Sequence, residues 1–204
     1  LRPTFVGIVD DSALGEDVVK KLKNHKVNTD YVMTMPGGMG TWLAVFDHNG
    51  DLAGSISQRP NLMPILGLLE EKGDEIFANA DSVIVEVDMD KDIIKKVVAL
   101  AKQYNKKLYG VVSNMSIAVE RRDFLKHFDC FICNQLEAGM LFMEDYADKS
   151  PEELRDILSK RVILGKIPAM IVTMGGNGAV YADVNGEKGI CPPQRVRVKD
   201  TTGA

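Results

Sequence analysis

The sequence predicts an α/β fold: a doubly wound, mainly parallel sheet flanked by helices, with a small β-sheet lid. Two patterns carry that expectation. Short β-rich apolar runs at 5–9, 83–87, 108–112, 131–133 and 170–174 read as strands buried on both faces of a parallel sheet. Between them lie segments whose apolar residues recur three and four apart, the spacing of an amphipathic helix. Such alternation is built from right-handed β-α-β crossovers, and sheets of this kind bind ligands beyond the carboxyl ends of their strands.

In chain order, the first helical segment is 14–26. A stretch without helices follows, in which 30–35, 42–46 and 52–57 read as successive strands. Asn49-Gly50 joins the last two, a pair favoured in tight hairpins. Roughly residues 30–60 therefore form a small β-sheet, either a structural flap or a lid over a substrate. Alternation resumes with helices at 92–104, 117–127, 136–143 and 151–164. The last opens on Ser150-Pro151-Glu152-Glu153, a capping box with proline at the first helical position. A second meander, 179–183 and 188–191 around Asn185-Gly186, follows the final parallel strand. There is no internal repeat, low-complexity tract or interdomain linker, so the 204 residues are expected to form one main domain.

Composition narrows the function classes. Hydrophobic residues make up 45% and charged residues 26%, enough apolar surface to close a core. The net charge of -4 is spread without a cationic tract, so binding to nucleic acid or an anionic membrane is not expected. The sequence has no apolar run of the length of a membrane helix, about 18 residues, and residues 1–10 lack a signal-peptide pattern. A soluble, cytoplasmic protein is expected. Cys130 and Cys133 fall in a strand that sends positions i and i+3 to opposite faces, so they cannot share a metal. With Cys191 alone elsewhere, reduced structural cysteines are expected. His25, His48 and His127 are scattered and read as surface residues.

Three segments could carry chemistry. Residues 199–204, Lys-Asp-Thr-Thr-Gly-Ala, offer small residues with free N–H groups, suited either to an anion cradle at a helix start or to a structural turn. Residues 171–179 run as a buried strand ending in glycines and returning as another strand. Those glycines either let a bulky ligand lie against the backbone or merely close a tight β connection. Asn134 and Glu137, at N-x-x-E spacing after the strand 131–133, suit either a hydrated magnesium ion or a helix cap. The glycines of 36–40 precede a β-like segment instead of a helix, so they read as a lid turn and not as a phosphate loop.

Taken in this order, the motifs resemble the ribokinase family of carbohydrate and nucleoside kinases, the PfkB group, nearly end to end. Residues 7–15, Gly-Ile-Val-Asp-Asp-Ser-Ala-Leu-Gly, are similar to the family's V-G-x-D-x-x-G segment, and 36–50 resembles its lid strand and turn. Asn134 to Glu137 matches N-x-x-E, 173–178 matches T-x-G-x-x-G, and 200–204 matches the start of D-T-x-G-A-G-D. Within the family, the wording of 36–37, 47–50 and 173–176 looks most like pseudouridine kinases.

The resemblance implies transfer of a phosphoryl group from ATP, with Mg2+, to a hydroxyl of a sugar or nucleoside, and it allows a monovalent cation as well. Gly203 and Ala204 would begin the backbone anion hole. Thr173, Gly175, Gly178 and Thr202 would line the nucleotide site, with Asn134, and Asn134 and Glu137 would order magnesium through water. The catalytic aspartate is expected two residues past Ala204, and the family's first strand and G-G-x-x-x-N motif before Leu1. Asp88 aligns with an acidic residue that contacts substrate in some members; it fits a helix cap ahead of Lys91 equally well. Pseudouridine is the leading acceptor, with ribose-type or fructose-type sugars and ordinary nucleosides as alternatives, and a homodimer through the lid is a further expectation. Two positions depart from the pattern: Asp10 stands where glycine is usual, and the strand 108–112 ends at Val112-Ser113 instead of Asn/Asp-Pro. A non-catalytic nucleotide or sugar sensor on the same fold is the rival reading. A dinucleotide-dependent redox enzyme is disfavoured, because no G-x-G-x-x-G follows the strand 5–9.

Overall fold

The computed structural model describes residues 2–46, 52–112, 119 and 122–194. The chain divides into two compact units, Leu1–Asp74 and Glu75–Ala204.

In the first unit, β1 (Thr4–Val9), α1 (Ala13–Asn24) and β2 (Asn28–Thr34) form a β-α-β crossover, with β1 and β2 parallel and Val9 opposite Thr34. The hydroxyl of Ser12 caps α1 by accepting from the N–H groups of Leu14 and Gly15, and Asp10 accepts from Ser12 N–H at 3.1 Å. That hydrogen-bonded turn crowds α1 against β1: a Cβ on Gly15 would sit 2.1 Å from the Asp10 carbonyl oxygen. The sequence placed 30–35 in the lid sheet. The structure pairs it with β1 instead, because a crossover returning through one helix lays its second strand beside its first.

The lid sheet is then a single antiparallel hairpin, β3 (Thr41–Phe46) with β4 (Leu52–Gln58), in which Leu43 faces Ile56. Its expected turn at Asn49-Gly50 lies outside the described residues. A helix that the sequence did not announce, α2 (Pro64–Ala78), follows. Asn61 accepts from Met63 N–H at 3.0 Å just ahead of Pro64, and Ile65, Leu69 and Phe77 are buried at multiples of four. Gly67 and Gly73 inside it interrupt the apolar pattern and weaken the helical signal.

The second unit holds β5 (Ser82–Glu86), α3 (Lys91–Gln103), β6 (Lys107–Val111), β7 (Cys130–Asn134), α4 (Gln135–Phe142), α5 (Pro151–Gly165), β8 (Ala169–Thr173), β9 (Ala179–Asp183) and β10 (Lys188–Cys191). They build a six-stranded sheet in the order β10-β9-β8-β7-β6-β5, parallel from β5 to β8 and antiparallel at β9 and β10. The antiparallel pair is the meander the sequence predicted. Of the helix expected over 117–127, residue 119 is helical and Arg122–His127 is a 3-10 turn, and residues 113–118, 120 and 121 lie outside the described residues. That tighter turn buries Phe124 and Leu125, and Asp129 then ties it to β6 by accepting from Leu108 N–H at 2.9 Å.

Because the strands of this sheet succeed one another in a single direction, right-handed crossovers put their helices on one face. Burial follows that rule. Leu108, Phe131, Met170, Val172 and Val180 point to the helical face and are sealed, together with Leu154, Leu158 and Val162 of α5. The alternate residues Tyr109, Ile132 and Ile171 are only half-buried, and Ile84 is 70% exposed. Among the described residues, the expected burial holds on the helical face of this sheet, and Cys130 is buried on the other. Cys130 and Cys133 are both buried in β7 and unbonded to each other, and burial pushes both thiols above their ordinary range. Among the described residues no helix is long and apolar enough to cross a membrane.

The division between sealed and open positions sets a stability test. Leu158→Ala, at 1% exposure, is expected to lower unfolding free energy by about 2–5 kcal/mol. Leu164→Ala, at 76% exposure on the same helix, should stay within about 0.5 kcal/mol of the parent in a urea titration.

Candidate functional site

Two segments that lie far apart in the sequence end side by side. β7 and β8 are adjacent and parallel, with Asn134 directly opposite Thr173 at their carboxyl ends. The Thr173 hydroxyl also reaches back towards the Cys133 carbonyl oxygen at 3.5 Å. This is where a parallel sheet exposes its ligand-binding end, because the helices that follow begin there with unpaired N–H groups.

After β7 the chain turns at once into α4. Asn134 is its N-cap: Asn134 Oδ1 accepts from Glu137 N–H at 2.8 Å, and Glu137 Oε2 accepts from Asn134 N–H at 2.6 Å. The helix-cap alternative is thus present as a complete capping box. A cap does not exhaust these groups, since an ionised carboxylate accepts about four hydrogen bonds and the box uses one oxygen. Among the described residues no three His, Cys, Asp or Glu side chains cluster to cage a metal. A carboxylate beside an amide oxygen instead fits a magnesium ion that keeps most of its waters and takes its remaining ligands from phosphate.

After β8 the chain makes a 3-10 turn at Gly175–Asn177 and returns as β9. Met174 N–H donates to the Gly178 carbonyl at 2.8 Å, closing the turn. Gly175 and Gly178 have positive φ values of 54° and 86°, so both sequence glycines sit where side chains are disfavoured. Their surroundings differ. A Cβ on Gly178 would stand 2.2 Å from the Cys191 carbonyl oxygen, whereas Cβ atoms at Gly175 and Gly176 would meet nothing within 4 Å. Gly178 therefore serves the close return of the chain, while the backbone at Gly175 and Gly176 borders open space.

Asp88 lies beyond the carboxyl end of β5, on the far side of β6 from β7, and is 8% exposed. Its N–H donates to Glu86 at 3.4 Å. The N-cap of α3 is Asp90, so Asp88 does not fill the capping position that the sequence also allowed. Thr202, Gly203 and Ala204 lie outside the described residues. The sequence did not single out Gln135 or Gly139, which hold the turn after α4. Gln135 donates to carbonyl oxygens of that turn, and a Cβ on Gly139 would lie 2.6 Å from Glu144 O. The glycine inside a helix was their one visible signal.

The family model of the pfkB family carbohydrate kinases matches residues 1–204. The chain belongs to this family. The pfkB chain is 33% identical to guanosine-inosine kinase of Exiguobacterium acetylicum, over 98% of its own length and 66% of that protein. It is 22% identical to ribokinase of Schizosaccharomyces pombe, over all of its length and 63% of that protein. It thus spans just under two thirds of these curated relatives. Its fold is similar to that of Arabidopsis thaliana ribokinase complexed with ribose and ATP, with a TM-score of 0.77 at 19% identity over 98% of this chain and 65% of that one. Adenosine kinase from Sinorhizobium meliloti gives 0.73 at 17% identity, over 97% and 60%. The ribokinase-like α/β class expected from the sequence is therefore the fold of this chain.

The two faces of the glycine turn are separable by mutation. Gly178→Ala is expected to cost about 1–3 kcal/mol, since both φ and the Cys191 carbonyl oppose it. Gly176→Ala, facing open space, should change the urea midpoint by the equivalent of less than about 0.5 kcal/mol.

Proposed function

We propose that the complete protein is a cytoplasmic ATP-dependent kinase that phosphorylates a hydroxyl group of a ribonucleoside. The observation that carries this reading is the register of β7 and β8, which sets Asn134 and Glu137 beside Thr173 and the open glycine turn. Phosphoryl transfer asks a protein mainly for positioning and for charge stabilisation, and these groups supply both. MgATP brings the transferable phosphoryl group. Glu137 and Asn134 orient water around the metal, Thr173, Gly175 and Gly178 border the nucleotide, and Thr202 contributes to that border. The N–H groups of Gly203 and Ala204 supply the anion hole, a monovalent cation assists there, and Asp88 contacts the acceptor.

The likeness to a guanosine-inosine kinase favours a nucleoside over a free sugar. Pseudouridine, suggested by the wording of 36–37, 47–50 and 173–176, is also a ribonucleoside, and ribose and fructose are the runners-up. The test is an ATP-consumption screen of the complete protein against guanosine, inosine, pseudouridine, uridine, adenosine, ribose and fructose. Turnover is expected with a nucleoside, and Glu137→Gln should reduce it about 10–100-fold. Turnover with none of the seven compounds would refute the kinase reading.

We also propose that the β3–β4 hairpin pairs with a second copy of the chain. It exposes Trp42, Leu43, Val45 and Ile56, and a lone two-stranded hairpin is marginal in water without cover. Sedimentation should report a dimer that Leu43→Glu with Ile56→Glu converts to monomer. A monomeric parent protein would remove this contact from consideration.

A further inference from the structure

Gln135 stands between the cap residue Asn134 and Glu137, yet it takes no part in their box. Its side chain is half-buried, and its terminal nitrogen donates to the carbonyl oxygens of Tyr146, of Ala147 at 3.2 Å and of Lys149 at 3.3 Å. Three acceptors around one atom identify that atom as the amide NH2, which shares two hydrogens among them.

All three carbonyls belong to the turn that links α4 to α5. The turn folds back along α4, and one helical turn after Gln135 the absence of a side chain at Gly139 admits it. A Cβ there would lie 2.6 Å from Glu144 O, and Glu144 N–H donates to Gly139 O at 2.9 Å. The same turn is anchored on its other side. Tyr146 is buried and donates its hydroxyl proton to Glu144 at 2.6 Å, and Glu144 pairs with Arg161 of α5. Lys149 immediately precedes Ser150, whose own box with Glu153 starts α5. The Gln135 amide therefore fastens the start of α4 to the start of α5.

A capping box alone orders a helix end only with respect to itself. Tying that end to the rest of the unit takes a contact that leaves the local segment, and Gln135 makes it over 11 to 14 residues of sequence. The converse need is equally physical: backbone carbonyls in a turn packed on a helix require donors, and Gln135 supplies one to three of them.

We propose that Gln135 is a positioning residue for the metal end of the site. By fastening α4 to the following turn, it keeps Asn134 and Glu137 in the arrangement that orders magnesium-bound water. This inference rests on the magnesium reading of Asn134 and Glu137 given above. Because Gln135 touches neither box partner through its side chain in any of these bonds, its effect on the metal would pass through backbone position.

The test is Mn2+ binding in the presence of ADP, followed by electron paramagnetic resonance on the complete protein, with the acceptor KM and the thermal midpoint measured alongside. Gln135→Met keeps the length of the side chain and removes the donor. It is expected to weaken Mn2+ binding about tenfold, the usual scale for a group that orients a metal's ligands, while the acceptor KM changes less than about twofold. Equal Mn2+ affinity in parent and variant, with or without a lower thermal midpoint, would reduce Gln135 to a structural residue and overturn the inference. Where the Met variant does not fold, Gln135→Asn, which keeps the amide but falls one methylene short, is read in the same way. Glu137→Gln separates the two failures. If it weakens Mn2+ binding and Gln135→Met does not, the positioning role alone falls; if neither weakens it, the magnesium reading falls with it.

Discussion

The parallel pairing of β7 with β8 is the constraint on which the site depends. Parallel strands cannot be joined by a tight turn, so the chain spends α4, a folded-back turn and α5 between them. That long excursion is what brings Asn134 opposite Thr173 across one hydrogen-bonded register. A slip of β7 by one residue would turn Asn134 to the other face of the sheet and set Cys133, apolar and buried, opposite Thr173 in its place.

The same parallel order explains why the helices of the second unit gather on one face of its sheet. Its strands advance in one direction, and the handedness of each crossover then fixes the helical side. Phe128 illustrates the packing on that side: its ring occupies the space above Gly110, where a Cβ would come within 3.0 Å, and stacks at a tilt on Phe131. Glycines thus serve three different purposes in one chain. Gly110 makes room for a ring, Gly15 and Gly178 admit backbone oxygens, and Gly175 and Gly176 leave open space beside the carboxyl end of β8.

The local elements were legible because each rests on short-range physics. The parallel strands show as β-branched apolar runs, the two capping boxes show as Asn134 to Glu137 and Ser150 to Glu153, and the second meander shows through Asn185-Gly186. α2 escaped because Gly67 and Gly73 dilute its apolar face, which only burial of Ile65, Leu69 and Phe77 restores. The strand character of β2 was visible, but its partner was not: a half-buried strand carries no mark saying whether it pairs with the strand before it or the hairpin after it. Cap and metal ligand were indistinguishable for Asn134 and Glu137 in the sequence, since both uses ask for the same oxygen atoms at the same spacing.

By itself, the sequence determined the class of fold, the capped starts of α4 and α5 and the turn of the second meander, because periodicity, capping and turn chemistry act within a few neighbouring residues. Only the tertiary structure decided that β2 lies with β1, that β5 to β10 form one six-stranded sheet, and that Gln135 reaches the carbonyls of Tyr146, Ala147 and Lys149. Those outcomes are choices among partners distant in the chain. They are settled by which backbone groups find donors and which apolar faces find cover, and a string of residues does not record either.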